Sequence, residues 1–310
     1  MAGIIYPRMA VIGCGLIGSS VIRAAREAGV VGTVAVADAH EGHRAQIVEL
    51  GYADLVTGEV GEAVADADLV VFAVPVLAMG PVAALAAAAL KPGATVTDVG
   101  SVKGSVADAL TAALPGHAMI IPGHPIAGTE QSGPDAGFAE LFQNRWVILT
   151  PQPRQDQPYL DALAKLSAFW TACGADVEQM DAAHHDLVLA VTSHLPHLIA
   201  YNIVGTAADM EDVTQAEVMK YSAGGFRDFT RIAASDPTMW RDVFVANKDA
   251  VLEVLGRFTE DLQALSRAIR WGESDKLFEL FTRTREIRRG IVAAGQESSE
   301  PNFGRDRGKH

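Results

Sequence analysis

In its first half the chain alternates between short apolar runs and stretches of helical period. Met9-Ala10-Val11-Ile12, Leu69 to Val74 and Ala118 to Ile121 are apolar at nearly every position rather than at every second one, and Thr95 to Val99 is a further strand with Val96 and Val99 as its apolar positions. Strands of that kind are buried on both faces, as in a parallel sheet with helices on either side. Between them the period lengthens to that of helices: from the end of a glycine-rich turn through Ala28, from Leu77 to Leu90, and from Gly104 to Ala113. Further strands are expected at Thr33 to Ala37, Trp146 to Thr150 and Asp176 to Met180, with a helix from Pro158 to Ala172 before the last. The succession predicts a doubly wound α/β domain ending near Asp181. From Ala182 the strand pattern stops and long amphipathic helices follow. One is expected to start at Ser235-Asp236-Pro237 and run to about Ile269, and another to be capped by Ser274 and end near Gly295. The architecture read from the pattern is a doubly wound domain over residues 1–181, an all-α domain over 182–295 and a disordered polar tail over 296–310.

The first connection carries chemistry. Gly13-Cys14-Gly15-Leu16-Ile17-Gly18 lies between a strand and a helix, and the second strand ends at Asp38, twenty residues after Gly18. In that context the pattern marks a Rossmann-type dinucleotide site. Gly13 permits the tight turn, Gly15 lets the pyrophosphate approach the backbone, Gly18 packs helix on strand, and the N–H groups at the helix start, from Leu16 and Ile17 on, face the phosphates. Asp38 suits the ribose hydroxyls and repels a 2′-phosphate, which favours NAD over NADP. Arg44 keeps NADP open, and the alternative for Asp38 is a cap on the next helix. Ligands in such folds lie beyond the carboxyl ends of the strands, where Val74-Pro75 and Gly100-Ser101-Val102-Lys103 fall, so both are candidate nicotinamide contacts.

The chain's 310 residues, 49% hydrophobic, can bury a large core. A net charge of −13 argues against nucleic acid or an anionic membrane as partner, but not against a small anion met by local arginines. Two cysteines without metal-like spacing fit a reducing cytoplasm. The uncharged run Leu69 to Leu90 has the length of a membrane span, yet Pro75, Gly80 and Pro81 divide it into strand, turn and helix.

A third candidate loop is Ile121-Pro122-Gly123-His124-Pro125-Ile126-Ala127-Gly128-Thr129-Glu130. Its two prolines and two glycines argue against an ordinary helix or strand, and it holds one titratable group, His124, among small uncharged residues. In the second half His184, His185, His194 and His197 crowd one helical segment. His194 and His197 are spaced to share a metal, but no third ligand joins them, so no metal is expected. Pro196, within Ser193-His194-Leu195-Pro196-His197, must interrupt helical hydrogen bonding. Gly224-Gly225-Phe226-Arg227-Asp228-Phe229-Thr230-Arg231 brings two arginines one turn apart, one to pair with Asp228 or solvent and the other free to hold a carboxylate in bidentate fashion. Arg283, Arg285, Arg288 and Arg289 read as a solvated face.

Taken together, the glycine fingerprint, Asp98-Val99-Gly100-Ser101-Val102-Lys103, the His124 stretch, Ser193 to His197 and Asp228-Phe229-Thr230-Arg231-Ile232-Ala233 resemble the prephenate and arogenate (cyclohexadienyl) dehydrogenases of tyrosine biosynthesis. The resemblance runs from about Arg8 to Gly295. It implies oxidative decarboxylation of a cyclohexadienol with NAD. His124 would accept the proton of the ring hydroxyl, Ser101 would orient His124 and the nicotinamide, and Lys103 would lie near the ring. Arg231 would hold a substrate carboxylate, with His194 and Thr129 lining the pocket, and the helical domain would form a homodimer. Some relatives carry an additional regulatory ACT domain, which is not expected here. The preference between prephenate and arogenate stays open. Two other readings stand beside this one. A β-hydroxyacid-type dehydrogenase would use a lysine early in the helical domain, whereas Ala182 to Tyr201 contains none. A non-enzymatic NAD-binding redox sensor would have no need of His124 together with Arg231.

Overall fold

The computed structural model describes residues 3–129, 131–209 and 224–293. Glu130 and the tail from Gln296 lie outside them. The chain divides into two compact units, Met1–Leu252 and Glu253–His310.

Six parallel strands form the first sheet: β1 (Tyr6–Ile12), β2 (Val31–Ala37), β3 (Leu55–Thr57), β4 (Leu69–Phe72), β5 (Thr95–Asp98) and β6 (Met119–Ile120), in the order β3-β2-β1-β4-β5-β6. The order reverses between β1 and β4, which is where such sheets bind ligands. Neighbouring residues of one strand serve opposite cores. Met9 and Val11 of β1 join Val34, Val36, Leu69 and Val71 beneath α1 (Leu16–Glu27) and α6 (Gln157–Ala172). Ala10 and Ile12 join Ala35, Val70 and Phe72 beneath α3 (Val60–Val64), α4 (Met79–Ala86) and α5 (Gly104–Ala113). That two-sided burial, worth about 1.5–3 kcal/mol for each fully buried large side chain, is why the strands read as uninterrupted apolar runs. Asp38 does not cap α2 (Glu41–Leu50). His40 takes that place, while Asp38 accepts hydrogen bonds from the N–H groups of Cys14 and His40.

Three expectations are corrected. The apolar run Leu77 to Leu90 is helical over a shorter span, a 3₁₀ turn at Val76–Ala78 followed by α4. The strands at Trp146 and Asp176 do not extend the main sheet. β8 (Trp146–Leu149) and β9 (Asp176–Gln179) pair in parallel in a second sheet, with β7 (Gly123–Pro125) antiparallel to β8. The His124 stretch is thus a short edge strand rather than an irregular loop. Proline is tolerated there because β7 pairs along one side: Pro122 accepts from Thr150 N–H, His124 lies opposite Ile148, and Ile126 donates to the Trp146 carbonyl, so the donor that Pro125 lacks would point away from β8.

The expected helix from Pro237 to Ile269 is also two helices, α10 (Pro237–Ala246) and α11 (Lys248–Arg270). Asp236 caps the first through the N–H groups of Thr238 and Met239, and the break falls at Asn247, whose side chain is engaged elsewhere. Before it, α7 (Ala182–Leu189) runs through one π-helical turn, Ala190–His194, into α8 (Leu195–Asp209). Pro196 has no N–H for the bond that a regular helix would make at this point, and the wider turn accommodates the defect. This continuous stretch is long and apolar enough to cross a membrane by composition, but it carries His185, Asp186 and His194 in the interior of the first unit. A short helix, α9 (Gly224–Thr230), follows. In the second unit α11 continues, and the turn after it and α12 (Ser274–Ala293) present large apolar side chains to solvent, with Trp271 of the turn at 73% and Phe278 of α12 at 72% exposure. Arg283, Arg285, Arg288 and Arg289 are exposed on α12.

Candidate active site

The glycine turn is shaped by what its residues lack. Gly13 has a positive φ of 86°, and a Cβ there would stand 2.6 Å from the Ala73 carbonyl oxygen and 2.9 Å from Val74. At Gly18 a Cβ would meet the Gly13 oxygen at 2.3 Å. Gly15 is different, since nothing lies within 4 Å of where its Cβ would be, and it begins α1 with no side-chain cap. The turn therefore offers uncapped helix N–H groups behind an open space, and Leu16 is buried beneath it while Ile17 is half-buried. Val74 is half-buried and Pro75 exposed at the end of β4. The Asp38 side chain is 10% exposed, and Arg44 Nη1 donates to the Asp38 and Ala39 carbonyls. These residues fit a dinucleotide.

Beyond the carboxyl end of β5 the chemistry becomes ionic. Asp98, the last residue of β5, and Lys103 form a wholly buried ion pair. Asp98 also accepts from Gly100 N–H (2.8 Å) and Gly123 N–H (3.1 Å), and Lys103 Nζ donates to the Gly123 carbonyl at 2.6 Å. The pair thus takes the place of a neighbouring strand along the free edge of β7. Gly123 suits this approach, since a Cβ would stand 3.1 Å from both Thr97 Oγ1 and the Asp98 carbonyl oxygen, a tight contact. Burial pushes the Asp98 carboxyl up and the Lys103 ammonium down, and each partner's charge opposes the shift of the other. Lys103 thereby supports β7 from beneath, with its ammonium satisfied by Asp98 and the Gly123 carbonyl.

His124, next along β7, is 7% exposed. Its Nδ1 lies 2.9 Å from His185 Nε2, and His185 Nδ1 lies 2.8 Å from Asp186 Oδ1. Burial holds the His124 pKa well below the usual histidine value, and neighbouring His185, Lys103 and His194 push in the same direction, so the ring is neutral at pH 7. Burial also lowers His185, partly opposed by Asp186. Asp186 is anchored by Lys103 N–H (2.7 Å) and Gly104 N–H (2.8 Å) at the start of α5. Burial raises its carboxyl, but the His185 and backbone hydrogen bonds outweigh that and leave it below the ordinary range.

A second branch leaves Asp186 through its carbonyl, which accepts from Asn247 Nδ2 at 2.9 Å. The same amide nitrogen lies 3.1 Å from His194 Nδ1. His194 Nε2 is buried and has no hydrogen-bond partner among the described residues, and burial carries its pKa down to about 4. His197 stacks on Trp240 with ring centroids 3.7 Å apart and donates through Nδ1 to the Ser193 carbonyl. Burial lowers its pKa, and the charge of Arg231 adds to that effect.

The remaining expected residues are placed as follows. Ser101 is half-buried and makes no side-chain hydrogen bond to His124, whose partner is His185. Thr129 accepts from Gln131 N–H. Arg231 is exposed at the start of a 3₁₀ turn, Arg231–Ala234, and Arg227 pairs with Asp228 at 3.4 Å, both well exposed. Among the described residues no group of three or more His, Cys, Asp or Glu is arranged for a metal. Sequence reading assigned no role to Asp98, Asp186 or Asn247 and named His185 only among the crowded histidines. The available signal was the polar run His184-His185-Asp186 in an otherwise apolar helix.

A family model for the prephenate dehydrogenase nucleotide-binding domain matches residues 21–179, and one for the prephenate dehydrogenase dimerization domain matches residues 181–283. The chain belongs to the prephenate dehydrogenase family. It is 45% identical over 284 residues to the cyclohexadienyl dehydrogenase of Zymomonas mobilis, covering 92% of this chain and 96% of that one. Among solved structures, the prephenate dehydrogenase from A. aeolicus in complex with hydroxyphenyl propionate and NAD+ superimposes with a TM-score of 0.84 at 34% identity, covering 92% of this chain and 98% of the other. Synechocystis arogenate dehydrogenase gives 0.76 at 26% identity, covering 92% and 99%. Prephenate dehydrogenase membership makes this chain an oxidoreductase and removes the sensor and β-hydroxyacid readings.

Proposed function

We propose that this chain is an NAD-dependent cyclohexadienyl dehydrogenase of tyrosine biosynthesis, in which His124 takes the ring-hydroxyl proton of prephenate or arogenate as the ring is oxidised. Decarboxylation then aromatises the ring to 4-hydroxyphenylpyruvate or tyrosine. The observation that carries the assignment to His124 is a neutral imidazole, buried on an edge strand that is bonded to the carboxyl end of β5 through Asp98. Oxidising an alcohol carbon leaves positive charge there unless the hydroxyl proton departs, and a neutral imidazole is suited to accept it. Bound NAD supplies the hydride acceptor.

In this reading Gly13, Gly15, Leu16, Ile17 and Gly18 hold the pyrophosphate, Asp38 meets the ribose, and Val74, Pro75 and Ser101 flank the nicotinamide. His194 presents its unpaired Nε2 to the substrate, Arg231 binds a substrate carboxylate, and Thr129 lines the pocket. Residues 1–181 serve the cofactor and residues 182–295 the substrate and a homodimer. Support for the dimer comes from the matched dimerization domain and from the exposed Trp271, Phe278 and Phe281. Two buried free cysteines, Cys14 and Cys173, support a cytoplasmic setting.

Reduction of NAD and NADP followed with each of prephenate and arogenate gives four rates. NAD is expected to exceed NADP with whichever substrate is preferred, because Asp38 is in place. Absence of turnover in all four combinations refutes the proposed reaction.

A further inference from the structure

His124 has a second function-bearing nitrogen, and what it touches decides how the first one works. Asp186, anchored by two backbone N–H groups, is ionised and acceptor-only, so the His185 nitrogen facing it, Nδ1, carries a proton. His185 Nε2 is then the lone pair, and His124 Nδ1, 2.9 Å away, must be the donor. That leaves His124 Nε2 as an unprotonated acceptor, which is the form a base requires. His124, His185 and Asp186 are 7%, 0% and 8% exposed, so water does not compete along the chain.

The surroundings of the two rings differ. Facing His124 are His185, Lys103 and His194, none of which favours a positive charge there. Facing His185 are Asp186 and Asp98, which do, and Lys103, which does not. A cation is better placed on the second ring than on the first.

Building on the proposed role of His124, we propose that His185 and Asp186 form a proton relay behind it. The substrate O–H bond breaks as a new N–H bond forms at His124 Nε2, and the proton on His124 Nδ1 moves to His185 Nε2. His124 ends neutral with its proton on the other nitrogen, and His185 becomes an imidazolium held by the Asp186 carboxylate. One proton enters the chain and no electron is exchanged within it. His185 and Asp186 act as positioning residues, through His124.

Two variants test the relay at its two members. In His185→Gln the amide oxygen still accepts from His124 Nδ1, but the chain ends there and the charge must stay on His124. The kcat is expected to fall about tenfold with KM for NAD unchanged. The acid limb of the kcat profile is expected to move to lower pH, because a ring that is harder to protonate stays neutral further into acid. Asp186 Oδ1 accepts from both His185 Nδ1 and Lys103 N–H, and Oδ2 accepts from Gly104 N–H. In Asp186→Asn the amide oxygen at the Oδ1 position therefore still accepts from His185 and keeps both tautomers, but the charge that holds the His185 imidazolium is lost. Here too kcat is expected to fall about tenfold, with the acid limb moved to lower pH. In the unaltered protein, ¹⁵N NMR at pH 7 should find His124 protonated at Nδ1 and bare at Nε2. The relay is overturned by the opposite tautomer, or by His185→Gln with the parent's kcat and acid limb. A kcat loss in that variant with the acid limb unmoved also overturns it, since that marks a structural role. Failure of the unaltered protein to oxidise either cyclohexadienol removes the reaction itself, whereas a working parent with an unresponsive His185→Gln removes the relay alone.

Discussion

The glycine turn and the polar cluster around His124 serve one reaction by opposite means. In the turn, side chains are absent: Gly13 and Gly18 are required by backbone atoms 2.3–2.6 Å from where a Cβ would be, and Gly15 faces open space. In the cluster, Asp98, Lys103, His124, His185, Asp186, His194 and Asn247 are all buried, and they are drawn from positions nearly 150 residues apart. The turn is a local device whose partners are its own neighbours. The cluster is a product of the fold, in which every member hydrogen-bonds another and only His194 Nε2 is left without a partner among the described residues, so that altering one member leaves the next unpaired in the core. Changes in the turn should therefore be read in cofactor binding, and changes in the cluster in turnover and stability together.

The largest expected effect tests the cluster's chemistry. His124→Asn should lower kcat by about 10²- to 10⁴-fold, or roughly 3–5 kcal/mol, with little change in KM. Near-parental turnover would remove His124 from the reaction and leave the cluster a structural feature. Next comes the ion pair beneath it. Lys103→Met leaves the Asp98 carboxylate buried without its cation, which costs about 3–5 kcal/mol. Urea denaturation should show that loss, and the double variant Asp98→Asn with Lys103→Met should recover much of it, since no lone charge then remains. A loss below about 1 kcal/mol in the single variant would mean that water reaches Asp98 and that β7 does not depend on the pair.

The same contrast explains what could be seen in the sequence. The dinucleotide domain was legible because its strands are buried on both faces and its turn is spelled by consecutive residues. His124 was visible as an isolated titratable group between prolines, although the strand it forms was not, since edge pairing to Trp146–Leu149 is a long-range event. Lys103 is set near the substrate by the family resemblance and by an anionic ligand's need for a local cation, neither of which bears on its burial. Its burial depends on Asp98 and the Gly123 carbonyl converging from two other elements. The break at Asn247 interrupts an amphipathic pattern that continues on both sides. Its cause, hydrogen bonding to Asp186 and His194, sits more than fifty residues earlier.

The smallest expected effect bears on the turn and would break the contrast most directly. Gly15 precedes α1 with φ −79°, a conformation open to any residue, and a Cβ there meets nothing within 4 Å. Gly15→Ala should therefore cost the fold only what an alanine N-cap costs relative to glycine, below about 1 kcal/mol. The methyl group would stand in the space that the pyrophosphate needs in order to approach the backbone, weakening NAD binding by about 1–3 kcal/mol, or roughly 5- to 150-fold in Kd. Fluorescence titration with NADH and a thermal melt on the same variant measure the two quantities independently. Unchanged NADH affinity would place the pyrophosphate elsewhere. A large drop in melting temperature would show that the turn is coupled to the core as tightly as His124 is, and that its openness to the cofactor is maintained by the fold and not by three local residues.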